Sequence, residues 1–270
     1  MTEALYVFGT GNANAMNCYN TCFALREDRN GEFLLVDAGG GNGILRILRD
    51  MEVPLTRIHH MIVTHEHTDH ILGVVWMIRM IAASIKQQKY EGNLYVYGHK
   101  ELLDKLRTLC RLTIQGKFCA LFDHRIQFVE VTDGQELAVW DHAVTFFDIH
   151  STKARQFGFS LTLHSGRRLV CLGDEPYNPL CRRYAEVADW LLSEAFCLYA
   201  DRERFKPYEK SHSTAMDAAR QARELGVGHL ILWHTEDSDL LHRKERYTRE
   251  ASYEFTGPIY VPDDGEIIQL

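Results

Sequence analysis

The chain of 270 residues is 46% hydrophobic and 25% charged, as in an ordinary globular protein whose core needs no disulfide staples. Its formal net charge of −7 excludes a broad basic field for a long nucleic acid, and its seven cysteines lack zinc-ribbon pairing and fit a reducing compartment. No basic leader with an apolar run opens the sequence, and the most apolar segment, 71–85, is interrupted by Arg79 and short for a bilayer. A soluble cytoplasmic protein with no membrane partner is expected.

Short β-rich runs come first, at 5–8, 19–25, 33–36 and 60–63. Residues 39–43 form a loop and 44–51 a short helix. A second helix is expected just after His70, with Ile71, Val74, Val75, Ile78, Ile81 and Ile85 as its apolar stripe. A strand at 94–97 and a helix at 100–111 follow. Strands then cluster at 126–131, 137–140, 144–148, 157–163 and 169–172. The remainder reads as a helix at 179–187, a strand at 190–193, a helix at 214–225 and a strand at 229–233. With six prolines and no Pro-rich linker, a hinge has little support, so a single domain over 1–270 is expected. Mixed strands and helices in this order fit the α/β class, two sheets packed together and covered by helices.

The densest chemistry lies in THEHTDH, residues 64–70, between the strand at 60–63 and the helix after His70. In an extended segment His65 and His67 point the same way and can reach one cation. Glu66 lies between them and should point away, while Asp69 and His70 follow where the chain turns and can be aimed at a second cation. One loop cannot close two sites, and three further ligand types end apolar strands: His150 in FFDIHS, Asp174 in LVCLGD and His234 in HLILWH. Five histidines and two aspartates suffice for two divalent metal ions with positions open for water, the makings of a catalytic site.

With these motifs the chain resembles the metallo-β-lactamase-fold hydrolases over nearly its whole length. The resemblance implies an αββα sandwich in which His65, His67 and His150 bind one metal. Asp69, His70 and His234 would bind the other, Asp174 would bridge them, and Asp37 of LLVDAGGG would support the loop from behind. The oxygen-reducing branch has a carboxylate where His67 stands, so the likeness is to the hydrolytic branch and to zinc, although the same ligands accept manganese or iron. Within the family the chain is similar to ribonuclease Z (tRNase Z) and its phosphodiesterase relatives, through VFGTGNANAMNCYNT, SEAF and KSHSTAMDAARQARELGVGHLILWH. That likeness implies that His212 donates a proton to the leaving oxygen and that Glu194 orients it. Read without the resemblance, His212 precedes a helix cap at Ser213 and Glu194 is a strand-end carboxylate.

The chain departs from that family in four places, one of them the slightly longer approach STKARQFGF from His150 to the phenylalanine-glycine pair. A short hairpin joins His150 to Asp174 in place of the long tRNA-gripping arm, Glu175 stands at a usual threonine, and Thr235-Glu236-Asp237 replaces a serine-arginine-tyrosine pattern. These departures and the acidic balance weigh against tRNA processing. The expected function is a dinuclear metal-dependent phosphodiesterase that acts on a small phosphodiester or an RNA 3′ end through a metal-bridging hydroxide, with Asp69, Glu194 and His212 as catalytic residues. The alternatives are a lactonase or thioesterase of the same fold and a catalytically silent metal-binding scaffold. Lys153 and Arg155 follow His150 and read either as a solvated turn or as an anion contact. No long nucleic acid is expected as a partner, and a homodimer is the oligomer to test first.

Overall fold

A computed structural model describes residues 3–27, 30–140 and 142–270. The chain gathers into two compact units, one of Met1–Gly9, Tyr19–Val131 and Gly265–Leu270, the other of Thr10–Cys18 and Thr132–Asp264. The first runs β1 (Ala4–Gly9), β2 (Cys22–Arg26), β3 (Phe33–Val36), α1 (Gly43–Asp50), β4 (Ile58–Ile62), α2 (Thr68–Lys86), β5 (Leu94–Gly98), α3 (Lys100–Thr113), α4 (Gly116–Cys119) and β6 (Ile126–Glu130). The second runs β7 (Glu136–Val139), β8 (His142–Asp148), β9 (Phe157–Thr162), β10 (Arg168–Cys171), α5 (Arg182–Ala185), β11 (Trp190–Glu194), α6 (Arg202–Phe205), α7 (Ala215–Leu225), β12 (His229–Trp233), α8 (Leu240–Ala251) and β13 (Ile259–Tyr260). The last strand, β14 (Ile267–Gln269), returns to the first unit.

Each unit is built on a seven-stranded mixed sheet, ordered β14-β1-β2-β3-β4-β5-β6 in the first and β13-β12-β11-β10-β9-β8-β7 in the second. In the first sheet the β14–β3 side is antiparallel and the β3–β6 side parallel. In the second, β7 to β10 are antiparallel and β10 to β13 parallel. The same plan recurs without any visible sequence repeat. Parallel strands put their C-terminal ends at one edge, where α/β proteins bind ligands. In the second unit the pairs Cys171↔Leu192, Leu192↔Ile231 and Glu194↔Trp233 bring the ends of β10, β11 and β12 level with one another.

Helix α2 starts earlier than expected. Its N-cap is His67, whose carbonyl accepts the N–H groups of His70 (3.1 Å) and Ile71 (3.0 Å). Asp69 and His70 therefore stand in the first helical turn rather than in a loop, with Asp69 where the helix dipole favours negative charge. The expected stripe is buried, apart from the half-buried Val75, and packs against Leu35, Met61, Val63 and Val96 of the sheet. At 19 residues α2 is long and apolar enough to cross a membrane, contrary to the shorter length expected, but 56% of its most apolar window is buried in the protein. It is a core helix of the first unit.

The expected helix at 179–187 is instead a 3-10 turn at Pro179–Cys181 followed by the four residues of α5. Val187, with φ of 57°, ends it. Helix α8 is unexpected because its inward face is polar: Arg243, Tyr247, Glu250 and Ala251 are buried at helical spacing where an apolar stripe would have marked it. The short strands β13 and β14 carry too few residues to show alternation. The hairpin of β9 and β10 pairs Thr162 with Arg168, so the link from His150 to Asp174 is as short as expected.

Candidate metal centre

In the first unit the ligand loop is held by Asp37, which follows β3 in left-handed backbone (φ 53°). One carboxylate oxygen, Oδ1, accepts the Thr64 N–H at 2.9 Å; the other, Oδ2, accepts the Thr64 hydroxyl at 2.7 Å and lies 2.8 Å from His70 Nδ1. The Thr64 hydroxyl in turn lies 3.0 Å from His65 Nδ1. Contacts at Nδ1 of His65 and of His70 leave the Nε2 atoms as the ligand ends. His65 Nε2 and His67 Nδ1 converge to 2.9 Å, and His70 Nε2 is 3.2 Å from Asp69 Oδ2. Burial opposes a charge on His70, but Asp69 and Asp37 outweigh it and hold the imidazole pKa well above its ordinary value. A cation bound at Nε2 would displace that proton, so metal uptake here is coupled to pH.

Glu66 points away, as its place between the histidines requires. It pairs with Lys105 of α3 and lies 3.9 Å from His99 Nε2. His99 is itself the N-cap of α3, accepting the Leu102 N–H.

Helix α2 can approach Asp37 only because residue 73 is glycine. Gly73 N–H donates to the Gly39 carbonyl at 2.8 Å, and Ala38 N–H to the His70 carbonyl at 3.2 Å. A Cβ on Gly73 would lie 1.8 Å from the Ala38 carbonyl oxygen.

In the second unit Asp174 follows β10, and Gln156 Nε2 donates to its Oδ1 at 2.5 Å. The other oxygen, Oδ2, is 3.6 Å from His234 Nε2 at the end of β12. His234 has φ of 56° and His150 has φ of 60°. With Asp37, three residues singled out from the sequence occupy backbone that costs a side-chain-bearing residue roughly 1–2 kcal/mol, the kind of strain that gathers at functional sites. Buried Arg243 holds the turn after His234, donating to Thr235 Oγ1 (3.1 Å), Thr10 Oγ1 (2.9 Å) and the Pro262 carbonyl (2.8 Å). His150 is exposed, its N–H donating to Asp148 Oδ1 at 2.8 Å, and it is not gathered with Asp174 and His234 among the described residues.

The donor set fits a divalent cation. Two ligands on a tetrahedral zinc with bonds of about 2.05 Å stand about 3.3 Å apart. His65/His67, His70/Asp69 and His234/Asp174 stand 2.9, 3.2 and 3.6 Å apart. Every donor is an imidazole nitrogen or a carboxylate oxygen, the ligands that zinc, iron and manganese share.

Glu194 and His212 also meet. Glu194 ends β11 fully buried, and its Oε1 accepts both the N–H and the hydroxyl of Ser213 at 2.6 Å. Its Oε2 lies 3.4 Å from His212 Nδ1. Burial pushes the Glu194 carboxyl pKa up, against the opposing pull of His212 and Ser213. The His212 ring stacks on Phe196 with centroids 5.0 Å apart, and its Nε2 is 3.4 Å from Lys153 Nζ. Ser213 is not the helix cap. Thr214 caps α7 in a capping box with Asp217, which frees Ser213 to bind Glu194. Arg155 is drawn to Asp148 Oδ2 at 3.2 Å.

Nothing local in the sequence marks Gln156, Thr64 or Arg243 as supports of the candidate ligands. Gly73, inside an apolar helical run, is the visible signal, since an interior glycine often marks a close backbone approach.

A family model described as "Anti-Pycsar protein Apyc1" matches residues 3–200, which include the ligand loop, His150, Asp174 and Glu194 but not His212 or His234. Among curated proteins, the Ribonuclease Z of Myxococcus xanthus is 25% identical over 256 residues, covering 77% of this chain and 79% of its own. Among solved structures, the metallo-β-lactamase-fold protein YhfI of Bacillus subtilis superposes with a TM-score of 0.80 at 20% identity over the whole of both chains. Human tRNase Z, short form, gives 0.72 at 21% identity over 98% of each. The fold is therefore that of the metallo-β-lactamases, two mixed sheets flanked by helices, and the expected ribonuclease Z-like class of metal-dependent hydrolase is borne out. Matched along most of its length, the chain belongs to the family of the anti-Pycsar protein Apyc1.

Proposed function

We propose that the protein is a dinuclear metal-dependent phosphodiesterase acting on a small phosphodiester or a short RNA 3′ end. Its metals would be held by His65, His67, Asp69, His70, His150, Asp174 and His234. The buried Glu194 beside His212 carries this reading, because an oriented imidazole is what an alkoxide leaving group needs. The donor chemistry suits zinc, with manganese or iron as alternatives. Divalent cations there would make a water acidic enough to attack at neutral pH and would stabilise the developing charge.

The chain's own groups do the rest. Asp37 and Thr64 aim the imidazoles of His65 and His70, and Gln156 fixes the carboxylate of Asp174. Glu194 faces Nδ1 of His212 and so directs Nε2 outward. In the reaction an oxygen from water bonds to phosphorus, the phosphorus–oxygen bond to the leaving group breaks, and that oxygen takes a proton from His212.

Purified protein should hydrolyse bis(p-nitrophenyl) phosphate only when metal-loaded. The variant His212→Ala should lose 10²- to 10³-fold in kcat on an alkyl leaving group and much less on p-nitrophenolate, which leaves without a proton. Equal losses on both would remove His212 from the proton-donor role. No turnover of any phosphodiester by protein with full metal content would overturn the assignment.

A further inference from the structure

Segment 151–156, between β8 and β9, carries two cations with different surroundings. Arg155 lies against Asp148 and over the Phe157 ring, 5.3 Å from its centroid. Lys153 is turned the other way. The Ser151 hydroxyl donates to Glu175 Oε1 at 2.7 Å and accepts the N–H groups of Lys153 (3.2 Å) and Ala154 (3.3 Å). That turn folds the segment back and sets Lys153 Nζ 3.8 Å from Glu175 Oε1 and 3.4 Å from His212 Nε2. Glu175, nearly buried, is one of the positions where the chain departs from the ribonuclease Z pattern.

The 3.4 Å contact sits at the outer limit of a direct hydrogen bond, and the 3.8 Å one is an ion pair beyond it. The ammonium is thus aimed at the imidazole edge without being tightly bound to either neighbour. With Glu194 on its Nδ1 side, His212 presents Nε2 to Lys153. An oxygen that takes its proton from Nε2 must come within reach of the ammonium, and so must the other oxygens on the same phosphorus. Lys153 is a point charge with three donors, suited to an anionic oxygen in any orientation. A phosphodiester keeps a full negative charge on its non-bridging oxygens, whereas the carbonyl of a lactone or thioester carries none before attack.

We propose that Lys153 is a specificity-determining residue whose ammonium binds a non-bridging oxygen of the substrate phosphoryl group beside the oxygen that His212 protonates. Glu175 and Ser151 are the positioning residues that aim it. This rests on the phosphodiesterase reading, and it explains how a metal centre able to attack phosphoryl and carbonyl groups alike is biased toward the anionic one.

The test compares wild type, Lys153→Gln and Lys153→Arg, each metal-loaded and checked for an unchanged melting temperature. Binding of inorganic phosphate is measured by calorimetry, and kcat/KM on bis(p-nitrophenyl) phosphate and on p-nitrophenyl acetate. Lys153→Gln should weaken phosphate binding about tenfold, the scale of one charge-assisted hydrogen bond. It should lower kcat/KM on the phosphodiester 10- to 100-fold while leaving the acetate ester within twofold, and Lys153→Arg should recover most of both losses. Unchanged phosphate affinity in Lys153→Gln, or equal losses on both substrates, would overturn the proposal even in an active phosphodiesterase. Wild-type protein that turns over only the ester would instead sink the phosphodiesterase reading, while the phosphate-binding comparison still decides whether Lys153 holds the anion.

Discussion

His60 shows how one side chain ties stability to pH apart from the ligands. It projects from β4 and stacks with Tyr95 and Tyr97, centroids 5.3 and 6.0 Å away, with its Nδ1 3.0 Å from the Tyr97 hydroxyl. Burial, with His59 adding to it, lowers its pKa from 6.5 to about 4. The unfolded chain therefore binds the proton more readily between those values. The contribution to stability is complete above pH 6.5 and is lost as pH falls toward 4, by up to roughly 3 kcal/mol. Urea unfolding of wild type and His60→Gln at pH 7 and pH 4.5 should show a smaller acid loss in the variant, and parallel losses would remove His60 as a cause. Nothing in IHHMI marks this role. The sequence shows two adjacent histidines, and only the paired strands supply the tyrosines that bury one of them.

At the scale of elements, the crossing of α2 over the Asp37 turn governs the ligand loop. Alanine at position 73 would gain up to about 1 kcal/mol in helix propensity. Its Cβ would lie 1.8 Å from the Ala38 carbonyl oxygen, and backbone cannot yield as a side-chain tip can. Overpacking of this kind costs about 1–3 kcal/mol, so the clash outweighs the propensity. Gly73→Ala should be less stable by about 2 kcal/mol in urea unfolding and should bind metal more weakly, because it parts His70 from Asp37. A variant as stable as wild type with full metal content would show that the close approach does not hold the loop. Propensity alone predicts the opposite sign, so a glycine in an apolar helix was readable as a flag but not as a contact. The second unit has a parallel case: SHSTAMD places two candidate caps side by side, and the capping box assigns Thr214 to the helix and Ser213 to Glu194.

For the molecule as a whole, metal binding and folding should be linked, because the ligands come from separate strand ends and no preformed site exists in the unfolded chain. Metal at a thousand times its dissociation constant stabilises by about 4 kcal/mol, which for a chain of this size is a rise of about 10 °C in melting temperature. Dialysis against a chelator should lower the melting temperature by that order, and added zinc should restore it. Elemental analysis should find two metals per chain in wild type and fewer in both His67→Ala and His234→Ala. A melting temperature indifferent to chelation, or one metal per chain in wild type, would count against a dinuclear centre.

The sequence by itself determined the candidate donors. Alternation along an extended segment puts His65 and His67 on one side, and an apolar run that ends in Asp174 or His234 marks a strand end, because both signals are local and periodic. The tertiary structure alone decided which atoms meet. Asp37 reaches His70 across 33 positions, Gln156 fixes Asp174 across a hairpin, and Glu194 finds Ser213 across 19. Such contacts depend on strand register and on the close approach of backbones, which no short stretch of sequence encodes.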